Sequence, residues 1–185
     1  MVLLAQHFYL FSGGPGSGKS SLLDYLSHQG YHCMAEAGRQ IIQQQVSIAG
    51  PALPWQNRQL FAEMMLSWEL RNYHAAQRAN SPLVLFDRGI PDIIGYLRLE
   101  GLQVPAHLMS AAKQFRYHPL VFMAPPWADI YHQDTERRQD FNTACQTFDA
   151  IARTYEELGY DLIELPKTSI EQSAAFVCAH LETGR

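Results

Sequence analysis

Residues 7–20 read His-Phe-Tyr-Leu-Phe-Ser-Gly-Gly-Pro-Gly-Ser-Gly-Lys-Ser, an apolar run that passes straight into glycines and a lysine–serine pair. From Gly13 to Ser20 the stretch matches G-x-x-x-x-G-K-[ST] without a mismatch. Its flanks are the ones the motif needs. His7–Phe11 has the composition of a strand, and the segment from Lys19 to Gln29 carries Leu22, Leu23 and Leu26 on one helical face, with Gly30 as a stop. The order strand, loop, helix has a physical purpose. Loop N–H groups and the helix N-terminus converge on a concave anion site. Gly13, Gly16 and Gly18 let the backbone approach phosphate oxygens and adopt positive φ where needed. Lys19 is expected to reach the β/γ-phosphates and Ser20 to ligate Mg²⁺, with Gly14, Pro15, Ser17 and Ser21 completing an ATP-binding set. A glycine-rich turn that merely ends in Lys-Ser would lack both flanks.

Working outward, four more short apolar runs follow: Tyr31–Ala35, Leu83–Phe86, Leu120–Met123 and Asp161–Leu165. Runs of this kind suit strands of a parallel sheet covered on both faces. The segments between them predict helices at Gly38–Ile48, Trp55–Ala79, Ile90–Glu100, Pro105–Arg116 and Thr135–Leu158. Thr135 is a possible N-cap, and Ser169 is placed to cap a final helix that ends near Leu181. Leu60, Phe61, Met64, Met65 and Trp68 form an apolar stripe that reads as core packing. Alternating strands and helices mean an α/β fold with right-handed crossovers.

Composition bounds the rest. The chain has 185 residues, which fits one domain over 1–185, and 47% of them are hydrophobic. With 14 Lys+Arg against 18 Asp+Glu the net charge is -4, which excludes a generically basic nucleic-acid binder but leaves room for a local basic pocket. Cys33, Cys145 and Cys178 are far apart and form no CxxC pair, which argues against a disulfide framework and for a reducing cytoplasm. The eight histidines have no paired ligand spacing, so no zinc is expected. No basic n-region precedes the first apolar residues and no run approaches the ~20 residues of a membrane helix, so neither a signal peptide nor a membrane partner is expected.

Further residues have a chemical reading. The third run ends in Asp87-Arg88. A carboxylate at a strand tip can hold Mg²⁺ or its water, or accept a proton from an attacking hydroxyl. Arg88 stands where a water-activating acid would be expected in a motor ATPase, and a cation there suits clamping phosphates; the plainer alternative is a strand-end turn with an ion pair. Glu36 and Arg39 follow the second run. They read either as acceptor-binding residues or as an i,i+3 ion pair of ~0.2–0.5 kcal/mol. Arg137 and Arg138, near a helix start, oppose the helix dipole. A lid closing over phosphates accounts for them; a solvated charge run is the alternative.

Taken together, Phe11–Ser20, Ala35–Arg39, Phe86–Gly89, Pro125–Arg137 and Leu158–Lys167 resemble an AAA-like ATPase/kinase family of small P-loop proteins, similar to nucleoside/nucleotide kinases and to nicotinamide-riboside kinase domains. The chain is too short for a ring-forming motor with a helical lid domain, and it has no Asn-Lys-x-Asp guanine motif. The resemblance implies a three-layer P-loop NTPase fold, with a five-stranded parallel sheet of order 2-3-1-4-5. It also implies a helical insert at about 38–79 and a lid at about 125–138. It places an acid and an arginine at Glu36 and Arg39 and favours Arg137, which follows Asp134 and Glu136, over Arg138. It sets Lys167 beside the adenine. The activity implied is ATP- and Mg²⁺-dependent phosphoryl transfer to a small nucleoside-like or other hydroxyl acceptor, with Lys19, Asp87, Arg88 and Arg137 catalytic. The rivals are an ATP-hydrolysing P-loop NTPase and a nucleotide-dependent regulatory module.

Overall fold

Five of the apolar runs become strands of one parallel sheet: β1 Phe8–Gly13, β2 His32–Met34, β3 Val84–Asp87, β4 Leu120–Ala124 and β5 Asp161–Glu164. The computed structural model describes residues 3–79, 81–130 and 141–182. The strand order is β2-β3-β1-β4-β5, the order that the resemblance implied. Register aligns the strand ends: Phe11 lies opposite Asp87 on one side and Phe122 on the other, and Gly13 lies opposite Ala124. Gly13, Asp87 and Ala124 therefore share the C-terminal edge of the sheet, where open α/β sheets bind ligands.

Side chains alternate across β1 with period two. Tyr9 and Phe11 face α1 (Lys19–His28) and α7 (Ile170–Glu182), packing with Leu22, Leu26 and Val177. Phe8 and Leu10 face the other way, onto Tyr73 of α3 (Arg58–Ala79) and Ile151 and Tyr155 of α6 (Phe141–Glu157). The result is three layers. The remaining helices are α2 Ala37–Ser47, α4 Ile90–Leu99 and α5 Ala106–Gln114. Gly95 of α4 lets α6 come close: a Cβ there would lie 3.1 Å from Ile151 Cγ1 and 3.3 Å from its Cα.

Coverage on both faces holds only for the centre. Every residue of β1 and β3 is buried, but β2 is half-buried and β5 begins and ends with exposed residues. The cause is position: β2 and β5 are the edges of the sheet. The long helix begins at Arg58 and not at Trp55. Asn57 and Gln56 donate their N–H groups to the Leu53 carbonyl, and Asn57 Oδ1 accepts from the Leu60 N–H at 3.0 Å, capping the helix. Of the stripe, Phe61 is buried and Met64, Met65 and Trp68 pack against the core, but Leu60 is 38% exposed. The helix expected to reach Arg116 stops at Gln114. Phe115–Arg116 instead pairs in parallel with Leu3–Leu4, and the Tyr73 hydroxyl lies 2.9 Å from the Leu3 oxygen and 2.8 Å from that of Arg116. Thr135, the expected cap of α6, lies outside the described residues. The Ser169 hydroxyl does accept from the Gln172 N–H at 3.3 Å. Among the described residues no helix is long and apolar enough to cross a membrane.

Candidate functional site

The phosphate loop leaves the sheet at Gly13, whose φ is +133°. A Cβ at this position would come within 2.3 Å of the Ala124 carbonyl oxygen, so any side chain would push β1 and β4 apart. The loop closes on itself through Ser17, whose hydroxyl donates to the Gly14 oxygen at 2.9 Å. Gly18, with φ +79°, enters α1 in the left-handed region and no side chain caps the helix. The first-turn N–H groups of α1 are thereby left to face an anion.

A cavity of about 630 Å³ opens over this loop. Residues Pro15 to Leu22 form its floor, Pro125, Trp127 and Ile130 one wall, and Pro166, Lys167 and Thr168 another. Every described member of the expected nucleotide-binding set from Pro15 to Ser21, and Lys167, lines it; Gly13 and Gly14 lie behind, in the strand-to-loop bend.

Beneath the loop, Asp87 projects from the end of β3, as its position in the register requires, toward Lys19 and Ser20, which line the cavity. Its Oδ2 accepts from the Ser20 hydroxyl at 3.0 Å and its Oδ1 lies 3.6 Å from Lys19 Nζ. Both Lys19 and Asp87 are buried, and Asp87 Oδ1 accepts no hydrogen bond. A serine oxygen beside a carboxylate with one buried oxygen that accepts no hydrogen bond, at a phosphate loop, is the hard-oxygen donor set that suits Mg²⁺, which takes one or two protein ligands and completes its shell with phosphate and water. The residues fit the ion. Among the described residues no cluster of three or more His, Cys, Asp or Glu offers a protein-only metal cage.

Arg88 is the next residue and has φ +73°, a conformation that costs a non-glycine residue free energy. Its partners explain why it persists. Nη1 donates to the Gly13 oxygen at 2.9 Å and to Asp92 Oδ1 at 3.1 Å, and Nε donates to Glu36 Oε1 at 3.2 Å. Burial opposes the charge on Arg88, but Glu36, Asp92 and Asp87 outweigh it and hold its pKa above the ordinary arginine value. Asp92 binds this cluster to the scaffold. It accepts from the Gly89 N–H at 2.9 Å and from the hydroxyls of Ser12 and Tyr155.

A second cavity, of about 410 Å³, lies beyond Arg88. Pro15 borders both cavities. Phe61, Met65 and Tyr96 supply apolar wall, Trp55 stands at 57% exposure on the loop before α3, and Glu36, Glu69 and Arg88 supply polar groups. Gln45 holds that loop, its Oε1 accepting from the Ala52 N–H at 3.0 Å. Two buried atoms here have no hydrogen-bond partner: Glu69 Oε2 and the Tyr96 hydroxyl. Burial, then Asp92, Asp87 and Glu36, push the Glu69 pKa well above the carboxylate range, against a hydrogen bond from Asn72 that pulls it down. Burial pushes the Tyr96 hydroxyl up to about 12.

Lys19, Ser20, Asp87, Arg88 and Glu36 thus form one cluster. Arg39 does not join Glu36: it lines the first cavity, because Glu36 precedes α2 while Arg39 sits within its first turn and leaves the helix in another direction. Arg137, Arg138, Asp134 and Glu136 lie outside the described residues, as do residues 131–138 of the lid expected at about 125–138. Three residues were not read from the sequence. Asp92 gave a faint signal as an acid three residues after Gly89. Glu69 gave a stronger one, since Phe61, Met65 and Glu69 follow at intervals of four and put a carboxylate on the apolar stripe. Tyr96 gave none.

A family model described as AAA domain matches residues 8–173 of the chain. No curated protein matches it in sequence. Among solved structures, the chain is similar to the deoxyadenosine kinase of M. mycoides with dCMP and dCDP bound, at 12% identity and TM-score 0.67 over 95% of this chain and 99% of that one. It is similar to the thymidylate kinase of Ehrlichia chaffeensis, at 15% identity and TM-score 0.61 over 96% and 99%. It is also similar to a NadR protein in complex with NR, at 17% identity and TM-score 0.69 over 97% of this chain and 52% of that one. These likenesses show the fold, a P-loop α/β sandwich of the nucleoside- and nucleotide-kinase kind.

Proposed function

The chain belongs to the AAA domain family, and from that premise we propose that it is an ATP- and Mg²⁺-dependent phosphotransferase acting on a small nucleoside-like or other hydroxyl acceptor. One observation carries the reading. The phosphate loop borders two cavities and Pro15 is common to both, so a second ligand has a built place beside a bound triphosphate. Hydrolysis needs only a water and no second cavity of about 410 Å³.

In this reading ATP occupies the first cavity with its phosphates in the loop. Loop and helix N–H groups and Lys19 stabilise charge on the transferring phosphoryl group. Ser20 and Asp87 hold Mg²⁺, which when bound neutralises phosphate oxygens. Asp87 has a second role, taking the proton of the acceptor hydroxyl through Oδ1, which accepts no hydrogen bond. Glu36, oriented by Arg88, binds acceptor hydroxyls in the second cavity. Arg88, which lines the second cavity, and Arg137, from the lid, add positive charge at the transferring phosphoryl group. Lys167 borders the adenine and Arg39 the phosphates. Catalysis is mostly positioning and electrostatics.

A phosphate-release and product assay with MgATP and a panel of ribosides tests the reading. Acceptor-stimulated ATP turnover with a phosphorylated riboside is expected. Phosphate release at full rate without acceptor would instead establish the hydrolase, and nucleotide binding with no turnover under either condition would establish a regulatory module.

A further inference from the structure

The second cavity contains a carboxyl group that the proposed chemistry leaves unused. Glu69 is 3% exposed, lies on the same face of α3 as Phe61 and Met65, and has an oxygen aimed at no protein partner. Buried polar atoms in folded proteins are paired, and an unpaired one lining a cavity is an unmet hydrogen bond. The two arginines of this cavity wall already face carboxylates: Arg88 bonds Glu36 and Asp92, and Arg58 lies 2.6 Å from Glu100. Titratable and charged groups reach Glu69 from each neighbouring element. Asp92 stands on α4, Asp87 at the end of β3, Glu36 before α2 and Tyr117 before β4; Asn72 hydrogen-bonds it from its own helix. In such company, and with burial, Glu69 holds its proton more tightly than an ordinary carboxyl does; with Asn72 serving one oxygen, the protonated form offers an O–H at the other, Oε2. Tyr96, whose buried hydroxyl also has no partner, lines the same space, and its ring meets Phe61 edge-on at 5.8 Å.

Resting on the phosphotransferase reading, we propose that Glu69 determines acceptor specificity. Its Oε2–H donates to a ring carbonyl oxygen of a planar heterocycle seated against Phe61, Met65 and Tyr96. The acceptor is then a nucleoside-like compound whose ring bears such an acceptor atom. Tyr96 makes the second polar contact.

The test pairs ribosides that differ by one ring oxygen: inosine against purine riboside, and uridine against its 4-deoxy analogue. Binding is measured by calorimetry without ATP and phosphorylation separately with MgATP. Wild type should prefer the oxo member of at least one pair by roughly tenfold. Glu69→Met should bring the ratio close to one, while Glu69→Gln, which keeps an N–H donor, should restore it. In wild type, affinity for the oxo member should fall as pH rises through the ionisation of Glu69; in Glu69→Gln it should stay flat. A persistent preference in folded Glu69→Met, no oxo preference in wild type, a pH profile unchanged in Glu69→Gln, or no binding by any of the four would overturn the proposal. Glu69-dependent binding without phosphorylation would overturn the phosphotransferase reading alone. Phosphorylation with an oxo preference indifferent to Glu69 would overturn the role of Glu69 alone.

Discussion

Asp87 and Glu69 are both buried carboxyl residues, and their surroundings set them different tasks. Asp87 has Lys19 and Ser20 beside it. Replacing it with Asn keeps its size and removes its charge, and phosphoryl transfer should fall ~10²-fold or more. If Asp87 holds the metal, the residual activity will need much more Mg²⁺. If it is the base, the Mg²⁺ requirement will hold and the acidic limb of the pH profile will vanish. Full activity in Asp87→Asn would remove both roles. Glu69 faces other carboxylates and its folded pKa is raised. Its contribution to stability is therefore full below the ordinary carboxyl range and is lost as pH rises from there through the folded value. Urea midpoints of wild type and Glu69→Gln, compared from about pH 5 to about pH 8, should diverge in favour of the variant as pH rises. A constant difference would contradict the raised value. Asp87 was legible because strand ends in such sheets point at the loop, a local pattern. For Glu69 the interval of four signals its place on the apolar stripe, but its raised pKa was not legible, because the acids that add to burial arrive from α4, β3 and the turn before α2, and no short window of sequence contains them.

Helices and strands were read well where one local rule decides them. The phosphate loop and α1 follow from glycine spacing and a leucine face. The edge character of β2 and β5 was not legible in their own runs, since an apolar run announces a strand but not its place in the sheet; only the resemblance, through the order 2-3-1-4-5, put them at the edges. The stop of α5 at Gln114 was lost in the same way, because Leu3–Leu4 draws Phe115–Arg116 out of the helix. Packing between elements leaves a direct test at Gly95. Ile151 Cα lies 3.3 Å from where a Cβ would stand, so α6 cannot yield by rotating a side chain. Gly95→Val should destabilise the protein by ~1–3 kcal/mol through overpacking. A thermal or urea midpoint equal to that of wild type would mean that α4 and α6 separate freely.

Over the whole molecule, the first cavity ties nucleotide binding to folding, since the unfolded chain has no phosphate loop to offer. MgATP at about a hundred times its Kd should stabilise the folded state by about 2.7 kcal/mol and raise Tm accordingly. Lys19→Ala should retain its fold and lose most of that shift; a full shift in the variant would remove the phosphate-loop assignment.

The central place of β1 has a consequence for how the protein is made. This strand leaves the ribosome before the other four of its sheet, yet it pairs with Val84 and its neighbours on one side and with Val121 and its neighbours on the other. At ~5–20 residues per second, translation keeps Phe8-Tyr9-Leu10-Phe11 without both partners for on the order of ten seconds. During that interval the nascent chain displays an unpaired apolar strand, the kind of segment that holdase chaperones cover and that aggregates when they do not. Slowing synthesis between β1 and β4 should therefore lower the yield of native protein, and a polar substitution within β1 would relieve the nascent chain only by unmaking the finished sheet.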